Sequence, residues 1–344
     1  MRVLVVGVGA VGSLLGYQLA TTGHAVTLIA RAPWVEAIQS RGLGLEENGQ
    51  IHFETNLEAV TDVSAVQGAA FDLVACTTKV YDVAEAMSQV TSLVADGTPL
   101  LLVQNGVGSE QIATKVLPRA QCMTAALTLV VEVLSPGLIR LPTAKGGIGL
   151  ATVSTGTPLD ELAVTLRQAG FERVAVYADY RAMKWSKLLL NILGNALPTI
   201  LDMLPTELYA QRPLFDLERA AFQEALAVMH GYGLQPVPLP GYPVPFFAWG
   251  MHRLPSAVLH PVCRRLLVGG RGGKKPSLHL DLLKGKAKSE VDFLNGAIVE
   301  HAHHLGLQVP VNYALHHTLS AIVSGETPWT AFQGQPQKLL AQVE

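Results

Sequence analysis

The stretch KWSKLLLNILGN, residues 184–195, sets Lys187, Asn191 and Asn195 four residues apart in an otherwise apolar run. Positions four apart share nearly one face of an α-helix. A helix here carries a polar stripe about 12 Å long at about 1.5 Å rise per residue. The chemistry on offer is an ammonium and two carboxamides in a row. A buried unpaired amide costs about 1–3 kcal/mol and an unpaired charge more. The stripe therefore faces solvent, with its apolar flanks against other helices, or lines a wet cleft with a polar partner; spacing alone leaves both open. Lys184, one turn before Lys187, fits an exposed basic edge and is expected to face solvent.

A second constellation lies at the start of the chain. In RVLVVGVGAVG the glycines Gly7, Gly9 and Gly12 follow an apolar run and open a helical pattern. In a dinucleotide-binding turn the first glycine makes the tight turn, the second lets the backbone approach a pyrophosphate, and the third packs helix against strand. Val8, Ala10 and Val11 fill the positions between them, and the N–H groups opening the helix face the anion. The next strand pattern ends LIARAP, with Arg31 where a site for a ribose 2′-hydroxyl carries Asp or Glu. A guanidinium binds a 2′-phosphate that a carboxylate would repel, so Arg31 points to NADPH rather than NADH. Lys79 closes LVACTTK and Asn105 closes LLLVQN. Both are expected at carboxyl ends of parallel strands, where open α/β sheets bind ligands. Lys79 suits a ribose or the substrate, Asn105 a bridge between cofactor and substrate.

These residues need elements to hold them. RVLVV, AVTLIA, FDLVACTT and PLLLVQN read as short buried strands, and 10–22 and 80–94 carry helical spacing between them. Alternation of this kind implies a parallel sheet covered on both faces. From about Cys122 to Tyr177 the texture changes: a Ser-Pro-Gly turn between β-rich runs reads as a hairpin, then LDELAVTLRQAG and ERVAVY as a helix and a strand. Beyond Asp179 the chain reads as helical. The fold class is α/β, with a Rossmann-type dinucleotide-binding domain over 1–178 and an all-helical domain over 179–344. LQPVPLPGYPVPFF is too Pro-rich for a continuous helix. VGGRGGKKP, residues 268–276, is basic and Gly-rich but lacks the Lys-Ser/Thr ending of a phosphate loop; it reads as a linker.

Composition removes other classes. A net charge of −2 gives no steering toward nucleic acid or anionic membrane. Three widely spaced cysteines form neither a disulfide framework nor a zinc pattern and suit a reducing cytosol. The start lacks the long apolar core of a signal peptide, and Leu188–Leu204 is too interrupted for a membrane span. His301 and His304 have i, i+3 spacing, but no further ligand completes a metal site, and they read as solvated. With 49% apolar residues, the helical half buries much surface, and a homodimer fits.

In order from residue 1 to about 312, GVGAVG, Arg31, TTK, QNGVG, KWSKLLLNILGN and PSLHLDLLKGKAKSEVDFLNG together resemble the ketopantoate reductase (2-dehydropantoate 2-reductase) family. The specific part is K-x3-N-x3-N followed about 95 residues later by EVDFLNG. The resemblance implies NADPH-dependent reduction of 2-dehydropantoate to (R)-pantoate, a step toward pantothenate and coenzyme A, in a site between the two domains. It implies Lys187 as the acid that protonates the carbonyl oxygen as hydride arrives. Asn191, Asn195 and Ser277 become substrate ligands, with Asn105, Lys79 and Arg31 on the cofactor side. Glu290 is an acidic active-site residue, orienting Lys187 or holding a ribose or substrate hydroxyl. Three departures touch the substrate: Ala196 replaces the usual proline, Pro205 stands where a further asparagine is expected, and the segment before Glu290 is one residue longer. Two alternatives accompany this reading: a reductase of another branched 2-oxo acid, and a non-catalytic NADPH-binding sensor.

Overall fold

The computed structural model describes residues 1–154, 159–271 and 274–343, with the side chains of 266–271 outside the described set. The chain divides into two compact units. The first comprises Met1–Gln104, Gly108–Lys184 and Leu239–Tyr242; the second comprises Asn105–Val107, Trp185–Pro238 and Pro243–Glu344. Two short segments thus belong to the unit that their place in the sequence does not suggest.

The strands in chain order are β1 (Arg2–Val6), β2 (Ala25–Ile29), β3 (Leu43–Glu47), β4 (Gln50–Glu54), β5 (Leu57–Val60) and β6 (Leu73–Cys76). They continue with β7 (Pro99–Leu102), β8 (Gln121–Leu127), β9 (Glu132–Ser135), β10 (Leu138–Leu141), β11 (Ile148–Thr152) and β12 (Val174–Tyr177). The main sheet has eight strands in the order β12-β11-β8-β7-β6-β1-β2-β5. All its pairs are parallel except β8 with β11. Val3–Val6 are buried on both faces, which is why this strand is a continuous apolar run rather than an alternating one. The helices of this unit are α1 (Ala10–Thr21), α2 (Ala32–Arg41), α3 (Val83–Gln89), α4 (Ser109–Val116) and α5 (Leu159–Gln168).

A second sheet, β4-β3-β10-β9, was not anticipated. The Ser-Pro-Gly hairpin is its β9–β10 pair. Its β3–β4 hairpin turns at Asn48 and Gly49, both with positive φ, and Asn-Gly is the local signal for such a turn.

The second unit is helical: α6 (Tyr180–Asn191, begun in the first unit), α7 (Ala196–Leu201), α8 (Pro205–Leu208), α9 (Arg212–Gly231), α10 (Val244–Arg253), α11 (Ser256–Arg271), α12 (Ser277–Leu283), α13 (Asn295–Leu305), α14 (Pro310–Ser324) and α15 (Pro336–Leu340). The Pro-rich stretch is irregular up to Val244, and its Leu239–Tyr242 belongs to the first unit, where Thr128 Oγ1 donates to the Pro240 carbonyl at 2.7 Å. The linker expected over 268–276 is corrected in part: its backbone is helical to Arg271, and Gly272 and Gly273 lie outside the described residues. No helix among the described residues is long and apolar enough to cross a membrane.

Candidate active site

In the first unit, β1 delivers the glycine turn. Gly7 has φ +94, and a Cβ there would lie 2.6 Å from the Thr78 side chain. Thr77 Oγ1 donates a short hydrogen bond to the Gly7 carbonyl, and a Cβ on Gly12 would strike that same carbonyl. The two outer glycines are thus required by packing. Gly9 differs: among the described residues nothing lies within 4 Å of where its Cβ would sit. Gly9 is also the N-cap of α1 and, having no side chain, supplies no cap of its own to that helix. An open helix N-terminus behind a glycine with free space in front is the cradle that a pyrophosphate fits. Val8 is buried beneath the turn, and Ala10 and Val11 are half-buried in the first turn of α1.

Neighbouring strands present the other dinucleotide candidates. Arg31 follows β2, is exposed, and is the N-cap of α2. Lys79 follows β6, is half-buried, and precedes a 3-10 turn. Since β6, β1 and β2 are adjacent and parallel, Lys79, the glycine turn and Arg31 share one edge of the sheet.

The second unit holds the amides, and here the single polar stripe is corrected. The helix α6 ends at Asn191; Gly194 turns the chain with φ +55, and α7 starts afresh at Ala196 with Asn195 as N-cap. The break is held by a buried carboxylate. Glu218 on α9 accepts the Gly194 N–H at 2.6 Å and the Tyr209 hydroxyl at 3.0 Å. Asn195 Nδ2 still donates to the Asn191 carbonyl at 3.0 Å, while its Oδ1 accepts the Leu278 N–H at 3.4 Å. Leu278 is the residue after Ser277, which is exposed and opens α12. Asn191 Nδ2 donates to Asn105 Oδ1 at 3.2 Å. Lys187 lies half-buried on α6, one turn before Asn191.

The loop carrying Asn105 belongs with the second unit because of Phe293. Val107 N–H donates to the Phe293 carbonyl at 3.2 Å, and Gly106, at φ +79, packs so close to that carbonyl that a Cβ has no room. Phe293 ends the 3-10 helix Glu290–Phe293, in which Glu290 is buried at 3% exposure. Hydrogen bonds thus join Asn105, Asn191, Asn195 and the start of α12, and the Glu290 segment meets the Asn105 loop through Phe293.

Two side chains contradict their expected settings. Lys184 does not face solvent. It is 2% exposed, pairs with Glu110 Oε1 at 3.2 Å and donates to the Gln104 carbonyl at 2.6 Å. Its helical turn is buried all round, from Ala182 to Ser186, so no solvent face exists for a lysine at that spacing. Burial alone would push the Glu110 carboxyl up, but the Lys184 ammonium and the Thr124 hydroxyl outweigh it and hold Glu110 below the usual carboxylate range. Neither Glu110 nor Glu218 carried a signal in the sequence, since each lies in an ordinary helical pattern. His301 is likewise not solvated: Nδ1 lies 2.9 Å from the Tyr232 hydroxyl, its ring packs edge-on to Trp185, and burial lowers its pKa.

The model of the ketopantoate reductase PanE/ApbA family matches residues 3–154, and that of the family's C-terminal part matches residues 179–323. This chain belongs to the ketopantoate reductase family. The matched stretches contain every candidate site residue, from Gly7 to Glu290. The 2-dehydropantoate 2-reductase of Pyrococcus horikoshii is 28% identical over 320 residues, spanning 92% of this chain and 95% of that protein. The one from Halobacterium salinarum is 28% identical over 315 residues, spanning 90% and 95%. Among solved structures, the PanE/ApbA family ketopantoate reductase of Ralstonia eutropha is 28% identical with a TM-score of 0.78, covering 95% of this chain and 99% of that one. D-mandelate dehydrogenase, solved with NADH and anilino(oxo)acetate, shares the fold at 23% identity and a TM-score of 0.78, covering 94% and 99%.

Proposed function

We propose that the protein reduces 2-dehydropantoate to (R)-pantoate with NADPH. The observation that carries the reading is the helix break that lets Asn195 reach both the Asn191 carbonyl and the start of α12, with Lys187 one turn before Asn191. Few structural needs call for an ammonium, three carboxamides and a serine gathered in this way, whereas a small hydroxylated 2-oxo acid uses all of them.

The cradle at Gly9 and the uncapped α1 would hold the pyrophosphate, Arg31 the 2′-phosphate and Lys79 a ribose. When bound, NADPH supplies hydride to the ketone carbon. The chain's own part is to stabilise and protonate the oxygen on which charge develops. Lys187 gives that proton, so that carbon gains hydride, oxygen gains a proton and a hydroxyl results. Asn105, Asn191, Asn195 and Ser277 offer neutral hydrogen bonds to the carboxylate and hydroxyl ends of the substrate. Glu290 orients Lys187 or holds a hydroxyl.

Steady-state kinetics with NADPH and ketopantoate test this. General acid catalysis contributes about 10²–10⁴-fold, so Lys187→Ala is expected to lower kcat by that order while leaving the KM for NADPH nearly unchanged. Near-wild-type turnover would refute the role of Lys187. A second reading, reduction of another branched 2-oxo acid, draws on Ala196 and Pro205, both buried and both departures from the family pattern. It gains if another 2-oxo acid outruns ketopantoate in kcat/KM. Binding of NADPH without oxidation by any 2-oxo acid would favour a sensor.

A further inference from the structure

The residues flanking Ser277 are gathered by one carboxylate. Asp202 is the C-cap of α7 and sits in the left-handed region at φ +51, a conformation that non-glycine residues keep where their surroundings enforce it. Its Oδ1 lies 3.2 Å from Lys275 Nζ and 3.0 Å from His279 Nε2. These residues stand two before and two after Ser277. The two nitrogens are themselves 2.9 Å apart, so Lys275, His279 and the carboxylate form one cluster. His279 is fully buried, its ring edge-on to Trp329, and its Nδ1 has no partner among the described residues.

The chain's C-terminal segment holds Asp202 from behind. Gln333 Nε2 donates to Asp202 Oδ2 at 3.0 Å. Trp329 Nε1 donates to the Thr199 and Ile200 carbonyls at 3.0 and 3.1 Å, and Gly334 N–H to that of Leu201 at 2.9 Å. The carbonyls left open at the end of α7 are thereby satisfied. At the other end of α7, Asn195 Oδ1 accepts the Leu278 N–H. This second clip matters because α12 has little else to hold it. It is seven residues long and buries only Leu278, His279 and Asp281, and so short a helix has no independent stability.

We propose that Asp202 is a positioning residue for substrate recognition: by holding Lys275 and His279 it fixes the first turn of α12 and presents the Ser277 hydroxyl beside Asn195. This rests on the reading of Ser277 and Asn195 as substrate ligands.

The test is steady-state kinetics with ketopantoate and NADPH on the wild type, D202G, D202N, S277A and D202G/S277A, with thermal midpoints alongside. Glycine adopts the left-handed backbone freely, so D202G removes the clip without strain. Asparagine also tolerates that backbone, and D202N keeps an acceptor for Lys275. D202G is expected to raise the KM for ketopantoate about tenfold, the worth of one hydrogen bond, with kcat and the KM for NADPH changed far less, and D202N is expected to fall between. If the clip acts through Ser277, D202G adds less than about twofold in the S277A background. Effects that multiply in the double variant would overturn the proposal, as would a fall in kcat and thermal midpoint at unchanged KM. If S277A leaves the KM unchanged, the substrate reading itself fails. If S277A raises the KM and neither Asp202 variant does, only the role of Asp202 fails.

Discussion

Lys184→Met tests the buried ion pair directly. Methionine nearly conserves the volume of the lysine stem, so the change removes the charge with little cavity. At the observed 3.2 Å, and with an effective dielectric constant of about 20, Coulomb attraction amounts to about 5 kcal/mol. Desolvation of both ions offsets much of this in the intact pair. The variant loses the attraction and keeps the desolvated Glu110, which retains the Thr124 hydroxyl at 2.5 Å as a partner. Removing one partner of a buried pair costs about 3–5 kcal/mol, which for a unit of this size lowers the thermal midpoint by on the order of 10 °C.

The pH dependence carries the sign. In the wild type the Glu110 carboxyl is held below its ordinary 4.5, so its contribution to stability is present above that value and is lost as pH falls through the native pKa. Without Lys184 burial dominates and raises that pKa. The native variant then binds a proton more readily than the unfolded chain, and its deficit shrinks as pH falls toward the carboxylate range. Urea denaturation of wild type, K184M and K184M/E110Q at neutral and mildly acidic pH measures this, with the double variant expected to recover much of the loss. A K184M deficit within about 0.5 kcal/mol, as at ordinary surface positions, or one that does not vary with pH, would refute the reasoning.

Arg31→Ala is expected to narrow the preference for NADPH over NADH by about tenfold or more, the worth of a charge-assisted contact; an unchanged ratio of kcat/KM values would assign the 2′-phosphate to another group. Gly106→Ala places a methyl against the Phe293 carbonyl and should raise the KM for the oxo acid in steady-state kinetics through displacement of Asn105. His301 is held below its ordinary 6.5 by burial. The unfolded chain therefore takes up a proton first as pH falls, and stability present above 6.5 declines through that range; His301→Gln should flatten the slope of the urea midpoint against pH.

The parts of this fold that are legible in the sequence are those fixed by neighbours along the chain. Val3–Val6, the glycines after them and Arg31 at the next strand end are set by local backbone rules and strand period. Local rules also stop Asn105 at the end of β7. They do not carry the loop's placement in the second unit, because that depends on the carbonyl of Phe293, far along the chain. Leu239–Tyr242 is the converse case, tied by the Thr128 hydroxyl to the first unit. The burial of Lys184 is hidden from the sequence for a related reason. Periodicity identifies a polar face only when some face of the helix meets solvent, and this turn meets none.

The same limit explains the helix break. In K-x3-N-x3-N, spacing suggested one straight row of donors, in which Asn195 would only extend the line begun by Lys187. The chain instead stops α6 at Asn191 and uses Gly194, in a left-handed conformation that glycine permits, to restart at Ala196. At that turn the Gly194 N–H donates to the buried carboxylate of Glu218. Asn195 thereby gains two tasks that a straight helix would deny it: capping the end of α6 through the Asn191 carbonyl and holding the start of α12 through Leu278. The sequence motif records which side chains are present, and the break decides what they can reach.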